Sequence, residues 1–363
     1  MSSIKNNSSN IAGIEVGYQV VGLQDLVVLP RTEKDKGQST IQLGMDPRAQ
    51  FKTSRRFWDS FCSRFHLSET VFNYYSHEEV FERISEVAGK KAEVRVSTEI
   101  DTTKGTRNLL ALTKPDSPLI DFEHIQKLVR SRGSNNLIYS DGVLRSTFTP
   151  KSGELAQSIG GEEHERQFVL STPVDGYGKP SIHLALLRQV CSNGLVAMSS
   201  AFQQDIKPGK EPWSVLDRAL RTFTGEGEDG FKLLVERLEA AQSSNASIRE
   251  VLDLRSLIAR LMPSQRDVTE RLEAVAGHLN NKYGVANINV LSEKKQRILP
   301  AECRVYDLIN FATELATHRA EPGISLKLHG YVGSLVTGEY DLEGTATKQP
   351  KKFASRFLIA GGG

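Results

Sequence analysis

The stretch from Arg166 to Met198 constrains the fold of this chain more than any other. It reads as a strand from Gln167 to Thr172, a turn from Pro173 to Pro180 and a second strand from Ser181 to Val190. Cys191-Ser192-Asn193-Gly194-Leu195 follows. Upstream, short runs of period two are broken by turn residues. Downstream of Met198 the apolar period becomes three-and-four, the signature of helices. A chain that gives strands with connecting helices before this stretch and mostly helix after it is expected to be α+β. A mainly antiparallel sheet in the N-terminal half would pack against helices, with a helix-rich C-terminal half.

The turns and caps sharpen this. Asp141-Gly142 between Asn136–Tyr139 and Val143–Thr149 is the strongest hairpin signal in the chain. Ala92 to Ile100 and Thr106 to Thr113 flank a second hairpin loop, Asp101 to Gly105. Trp58, Phe61, Cys62 and Phe65 mark the apolar face of a helix from about Ser54 to Phe65. Ser76 with Glu79 forms a capping-box pattern for a second helix, with Val80, Phe81, Ile84 and Val87 as its buried face and Gly89 as its end. A third, Asp121 to Arg132, is capped by Asp121 and closed by Gly133. Later helices are expected at Trp213–Phe223, Gly230–Ala241, Ile248–Met262, Ser264–Lys282 and Ala301–Arg319. Gly13 to Gly44 reads as extended segments around a charged loop, Lys151 to Glu165 as a flexible polar segment, and Ile324 to Tyr340 as a returning strand. The organisation expected is an N-terminal extension over 1–50, an α+β domain over 51–320 (sheet about 92–190, helices about 213–319), and a C-terminal extension over 321–363 with a basic tail.

Composition narrows the functional classes. A net charge of +2 does not by itself announce a nucleic-acid partner, so any such surface must be local. No run approaches the roughly 18 apolar residues of a membrane span. The polar segment Met1 to Asn10 lacks the apolar core of a secretory signal. Three widely spaced cysteines, Cys62, Cys191 and Cys303, fit a reducing compartment, so the cytoplasm is expected.

Motifs for catalysis are weak. Gly225-Glu226-Gly227-Glu228-Asp229-Gly230 has the letters of a dinucleotide loop, but it follows a helical stretch and carries three acidic residues that repel phosphate. Cys191 is a candidate nucleophile. His183 lies eight residues up the same strand, about 26 Å away at ~3.3 Å per residue, so those two form no dyad. Cys191 reads more simply as a packed thiol, and Asn193-Gly194 as a left-handed turn. Glu162, Glu163, His164 and Glu165 lack the spacing of a zinc or calcium site. No metal or cofactor is expected.

A nucleic-acid surface remains. Arg55 and Arg56 interleave with aromatic residues, of which Phe57 and Trp58 are candidates for base stacking. Arg95, Lys104, Arg107, Arg145 and Arg188 fall on or beside strands, where they would neutralise phosphates. The competing reading makes the aromatics helix core and the charges a solvated face.

Leu187-Arg188-Gln189-Val190-Cys191-Ser192-Asn193-Gly194-Leu195 resembles a known family, the phage/plasmid-like proteins classed as domain of unknown function 932. The features that carry it are an arginine shortly before Cys191-Ser192-Asn193-Gly194 and a preceding Asp175-Gly176 turn. A late helix with Tyr306, Asn310, Thr313 and Glu314 near His318 adds to them. The resemblance covers Phe51 to Arg319. It implies a bacteriophage or plasmid setting and no established activity. The expectation is a non-enzymatic protein that binds single-stranded DNA during annealing or recombination, as a homo-oligomer in a bacterial host's cytoplasm. Two alternatives are an accessory protein that inhibits a host defence protein, and an enzyme using Cys191.

Overall fold

The computed structural model describes residues 11–29, 38–89, 92–134, 136–150, 156–159, 162–188, 194–196, 203–209, 211–226, 228–243, 246, 248–283, 304–320 and 322–337. The architecture is α+β, with strands in the N-terminal two-thirds and most of the helices after them. It divides into two compact units. One comprises Met1–Thr147, Leu170–Ser181 and Asp205–Leu220; the other comprises Phe148–Val169, Ile182–Gln204 and Arg221–Gly363.

The first sheet uses β1 (Ile14–Gly22), β2 (Leu26–Leu29), β3 (Thr40–Leu43), β4 (Gln50–Thr53), β5 (Glu93–Asp101) and β6 (Thr106–Thr113), in the order β1-β5-β6-β4-β3-β2. It is mixed, because β4 pairs with β6 in parallel while the other pairs are antiparallel. The segment before residue 51, expected to be an extension, supplies three of its strands. One sheet over about 92–190 was expected and two are found. Alternation reveals that a run is a strand but not its neighbour, and β5 and β6 pair with β1 and β4.

The second sheet runs β12-β11-β10-β8-β7, with β9 beside β10 and β13 beside β11. These strands are β7 (Asn136–Ser140), β8 (Val143–Phe148), β9 (Ala156–Ile159), β10 (Glu162–Pro173), β11 (Ser181–Arg188), β12 (Gly194–Val196) and β13 (Gln203–Asp205). Asp141 (φ 48°) and Gly142 (φ 76°) form the two-residue turn joining β7 and β8, both in the left-handed region that such turns require. The polar stretch read as flexible contains β9 and the start of β10. Glu162 to Glu165 register against Ile159 to Ala156, and His164 is buried. Polar composition hid these strands, because their alternation is carried by few apolar residues.

In the first unit, α1 (Arg55–Phe65) and α2 (His77–Ala88) pack on the first sheet. Phe57, Trp58, Phe61 and Cys62 share a core with Phe81, Val94, Val96, Leu109 and Leu112. Ser54 caps α1 by accepting from Phe57 N, and Ser76 with Glu79 makes a complete capping box on α2. Val87, expected to be buried, is 85% exposed, because the whole last turn of α2 is in solvent. α3 (Phe122–Ser131) is tied to α4 (Pro212–Glu226) by Arg132 to Asp217 at 2.6 Å and by His124 stacked on Trp213 at 3.9 Å.

The second unit holds α5 (Glu228–Ser243), α6 (Ile248–Leu261), α7 (Arg266–Tyr283), α8 (Val305–His318) and α9 (Pro322–Thr337). α9 occupies the segment expected to be a strand. Leu328, Val332, Leu335 and Val336 are buried at helical spacing, and Tyr331 donates to Glu250 O at 3.0 Å. Apolar residues on nearly all sides of this helix blur its period. Of the glycine-rich acidic letters at 225–230, Gly225 and Glu226 end α4 and Glu228 to Gly230 begin α5, while Gly227 lies outside the described residues. The basic tail after residue 337 lies outside the described residues.

Candidate functional site

Where β4 turns into α1 there is a pocket of about 330 Å³, lined by residues of β4, α1, the segment before β3, the 3-10 turn Glu69–Asn73 and the start of α2. Its wall is aromatic. His77 stacks on Trp58 at 4.0 Å and 11° between planes, and Phe72 meets both edge-on at 5.3 and 4.4 Å. Two hydroxyls, of Thr53 and Ser39, link the lining by hydrogen bonds. Trp58 Nε1 donates to Thr53 Oγ1 at 3.0 Å, and Thr53 Oγ1 donates to Ser39 O at 2.9 Å. Ser39 Oγ and His77 Nδ1 lie 2.8 Å apart, the separation of a nucleophile and its base. Ser39 is 1% exposed, however, and the pair fastens the segment before β3 to the first turn of α2. At the mouth, Arg55 stands 4.0 Å from Asp59 and 3.9 Å from Glu69. Burial first, and then Glu69, push the Asp59 carboxyl above its ordinary range, against the pull of Arg55 and Arg56.

The next residue does different work. Arg56 Nε donates to Asp175 Oδ2 at 2.7 Å and Nη2 to Oδ1 at 3.0 Å, a two-pronged pair on a fully buried carboxylate. Tyr177 N also donates to Asp175 Oδ1 at 3.0 Å, and Ser97 Oγ to Asp175 O at 2.7 Å. Arg56 further donates to Tyr177 O and lies over its ring at 5.3 Å. Burial drives the Asp175 carboxyl upward, and the Arg56 hydrogen bond opposes it. The turn 174–178 is thereby fastened to α1 and β5. Arg95, 7% exposed, sits under it and donates to Ser117 O at 2.9 Å and Pro115 O at 3.3 Å. Gly176 has a φ of 78°, in the left-handed region that favours glycine, and Arg95 Nη2 lies 2.9 Å from where a Cβ would stand.

The residues singled out from the sequence therefore divide. Arg55 and Trp58 line the pocket. Phe57 is fully buried and cannot stack on a base; Trp58 is 7% exposed, with His77 already on its face. Both belong to the core because the helical stripe of α1 points inward. Arg56, half-buried, and Arg95, buried, are engaged with interior groups and hold loops. Arg145 is half-buried. Burial lowers its pKa to about 10, and its Nε has no hydrogen-bond partner among the described residues. Lys104 and Arg107 are exposed. Lys104 is 3.6 Å from Asp101; Arg107 lies over Phe51 at 4.7 Å and donates to Arg48 O. Arg188 ends β11 and Gly194 begins β12, but their side-chain surroundings lie outside the described residues, as do Cys191, Ser192 and Asn193 altogether. On α8, Thr313 is buried and donates to Ile309 O at 3.0 Å and Asn310 O at 2.9 Å; Asn310 is half-buried and Glu314 exposed. Sequence reasoning missed Ser39, Asp59, Glu69 and His77 as a group, since they come from four segments. Asp175 was noted only as a turn residue.

Among the described residues no three His, Cys, Asp or Glu side chains are placed to hold a metal ion. Among them, too, no helix is long and apolar enough to cross a membrane. No protein-family model, curated protein or solved structure matches the chain.

Proposed function

We propose that this chain is a non-catalytic, DNA-handling protein of the phage and plasmid type, which binds single-stranded DNA in a bacterial host's cytoplasm and works as an oligomer. The observation that carries the reading is the exposed basic cluster at one end of the first sheet. Arg107 lies over the Phe51 ring and is anchored by the carbonyl of Arg48, so its guanidinium is pre-positioned. Arg48 and Lys104 are exposed in the neighbouring turns. The nearby carboxylate of Asp101 is occupied by the N–H groups of Thr103 and Lys104 at 3.0 and 2.9 Å. Cations held in this way neutralise phosphates without reading sequence. The surface is narrower than the seven-residue set expected from sequence, because Arg56 and Arg95 serve the interior. The Cys191-Ser192-Asn193-Gly194 resemblance supports the genetic setting.

Self-association is part of the reading. β1 is nine residues long, pairs only with β5 among the described residues, and carries one charge, Glu15, with no proline or lysine to guard its edge.

Fluorescence anisotropy with a labelled single-stranded oligonucleotide tests the proposal. Binding should weaken steeply with salt. Arg107→Ala and Lys104→Ala should each reduce the slope of log K against log salt by about 1. Absence of binding at low salt, or an unchanged slope in the double variant, would overturn it.

A further inference from the structure

We propose that the pocket at the start of α1 binds a small organic cation, with an alkylammonium or guanidinium head. Its volume of about 330 Å³ suits a small molecule rather than a length of polymer. Its charge selects the sign of the ligand. Asp59 and Glu69 face it, and the one guanidinium in the lining, Arg55, stands 4.0 and 3.9 Å from them, beyond hydrogen-bond range, with its side chain 68% exposed. The contrast with Arg56, locked on Asp175 at 2.7 Å, shows what a satisfied pair looks like one residue away. Arg55 is held loosely enough to swing aside at little cost. Burial first, and Glu69 second, raise the Asp59 carboxyl, so the two carboxylates are close enough to feel one another.

The wall selects the shape. Trp58, Phe72 and His77 are packed against one another, so the carbon stem of a slender cation meets a preset apolar wall while its head reaches the carboxylates. The hydroxyls of Ser39, Thr53 and Ser54 are engaged within the protein and leave recognition to the carboxylates and rings. The same carboxylates repel a phosphodiester, so this site is separate from the basic cluster around Arg107 and does not rest on the DNA-binding reading.

The test uses the full chain carrying Trp213→Phe, which leaves Trp58 as the only tryptophan and a reporter inside the pocket. Butylammonium, arginine methylamide and the neutral butanol are titrated at low salt. A short peptide with a single arginine forms a fourth arm. Saturable change in Trp58 emission with the cations and none with butanol is expected, weakened about tenfold in Glu69→Gln and again in Asp59→Asn. Glu69 is exposed in a 3-10 turn, so Glu69→Gln tests the charge without threatening the fold. Binding by the free amines identifies a small molecule as the source. Binding by the peptide alone identifies a partner's basic side chain and overturns the small-molecule assignment. Equal response to butanol, undiminished affinity in Glu69→Gln, or no saturable response to any cation overturns the site.

Discussion

Arg56→Ala removes the guanidinium that meets both oxygens of Asp175 at 2.7 and 3.0 Å and leaves a fully buried carboxylate with backbone amides, those of Tyr177 and of Asp175 itself, as its remaining described donors. Breaking one side of a buried pair costs about 3–5 kcal/mol. The Arg56 side chain is 25% exposed, so the lower end, about 3 kcal/mol, is expected. That is a large part of the 5–15 kcal/mol of a typical domain and corresponds to a fall of about 6–12 °C in melting temperature. The loss should also depend on pH. Burial already raises the Asp175 carboxyl, so the native state holds this proton more tightly than the unfolded chain does. Between the ordinary carboxylate range and the raised native value, stability therefore falls as pH rises. Deleting Arg56 lifts the native value further and widens that window. Each tenfold gain in proton affinity there is worth about 1.4 kcal/mol, so the variant's deficit should be smaller at about pH 5 than at about pH 7. Urea unfolding followed by tryptophan emission measures this directly, because Trp58 and Trp213 both lie in the unit that contains the pair. A deficit below about 1 kcal/mol, or one that is the same at both pH values, would refute the assignment of Asp175 as a charge dependent on Arg56.

Other expected outcomes follow from single contacts. Gly142→Ala places a Cβ 2.7 Å from Asp175 Oδ2 at a φ of 76°, so thermal melts should show a loss of at least about 1–2 kcal/mol. Ser76→Ala removes the hydroxyl that accepts from Glu79 N at 3.2 Å and should cost about 1 kcal/mol by urea titration. Burial pushes the Cys62 thiol up to about 11, so alkylation at about pH 8 mapped by mass spectrometry should spare Cys62 until urea is added. Val20→Lys places a charge on the exposed edge of β1, and light scattering should show self-association weakened relative to the unaltered chain; an unchanged mass would remove β1 from the oligomer interface.

What the chain declares locally, it declares well. Asp141-Gly142 between alternating runs dictates a two-residue hairpin, because few residues other than glycine and asparagine or aspartate tolerate consecutive positive φ values. Ser76 and Asp121 each place a helix start to the residue, since a side-chain oxygen satisfies an amide only two or three positions on. The inward stripe of α1 was equally legible for Trp58, Phe61 and Cys62, whereas the burial of Phe57 beside it emerged only from the packing. Where one feature was spread or diluted, the reading failed. α9 has apolar residues on nearly all sides and so lost its period, and β9 with the start of β10 was concealed by polar residues. The rest depends on partners remote in sequence. Arg56 and Asp175 are 119 positions apart, Ser39 and His77 are 38 apart, and β4 pairs in parallel with β6 across two helices and a strand. No local rule distinguishes an arginine that will reach a phosphate from one that will be locked on a buried carboxylate. Only the closure of the tertiary structure separated Arg56 from Arg55, turning one into scaffold and leaving the other at the mouth of a pocket, because burial and pairing are properties of three-dimensional neighbours.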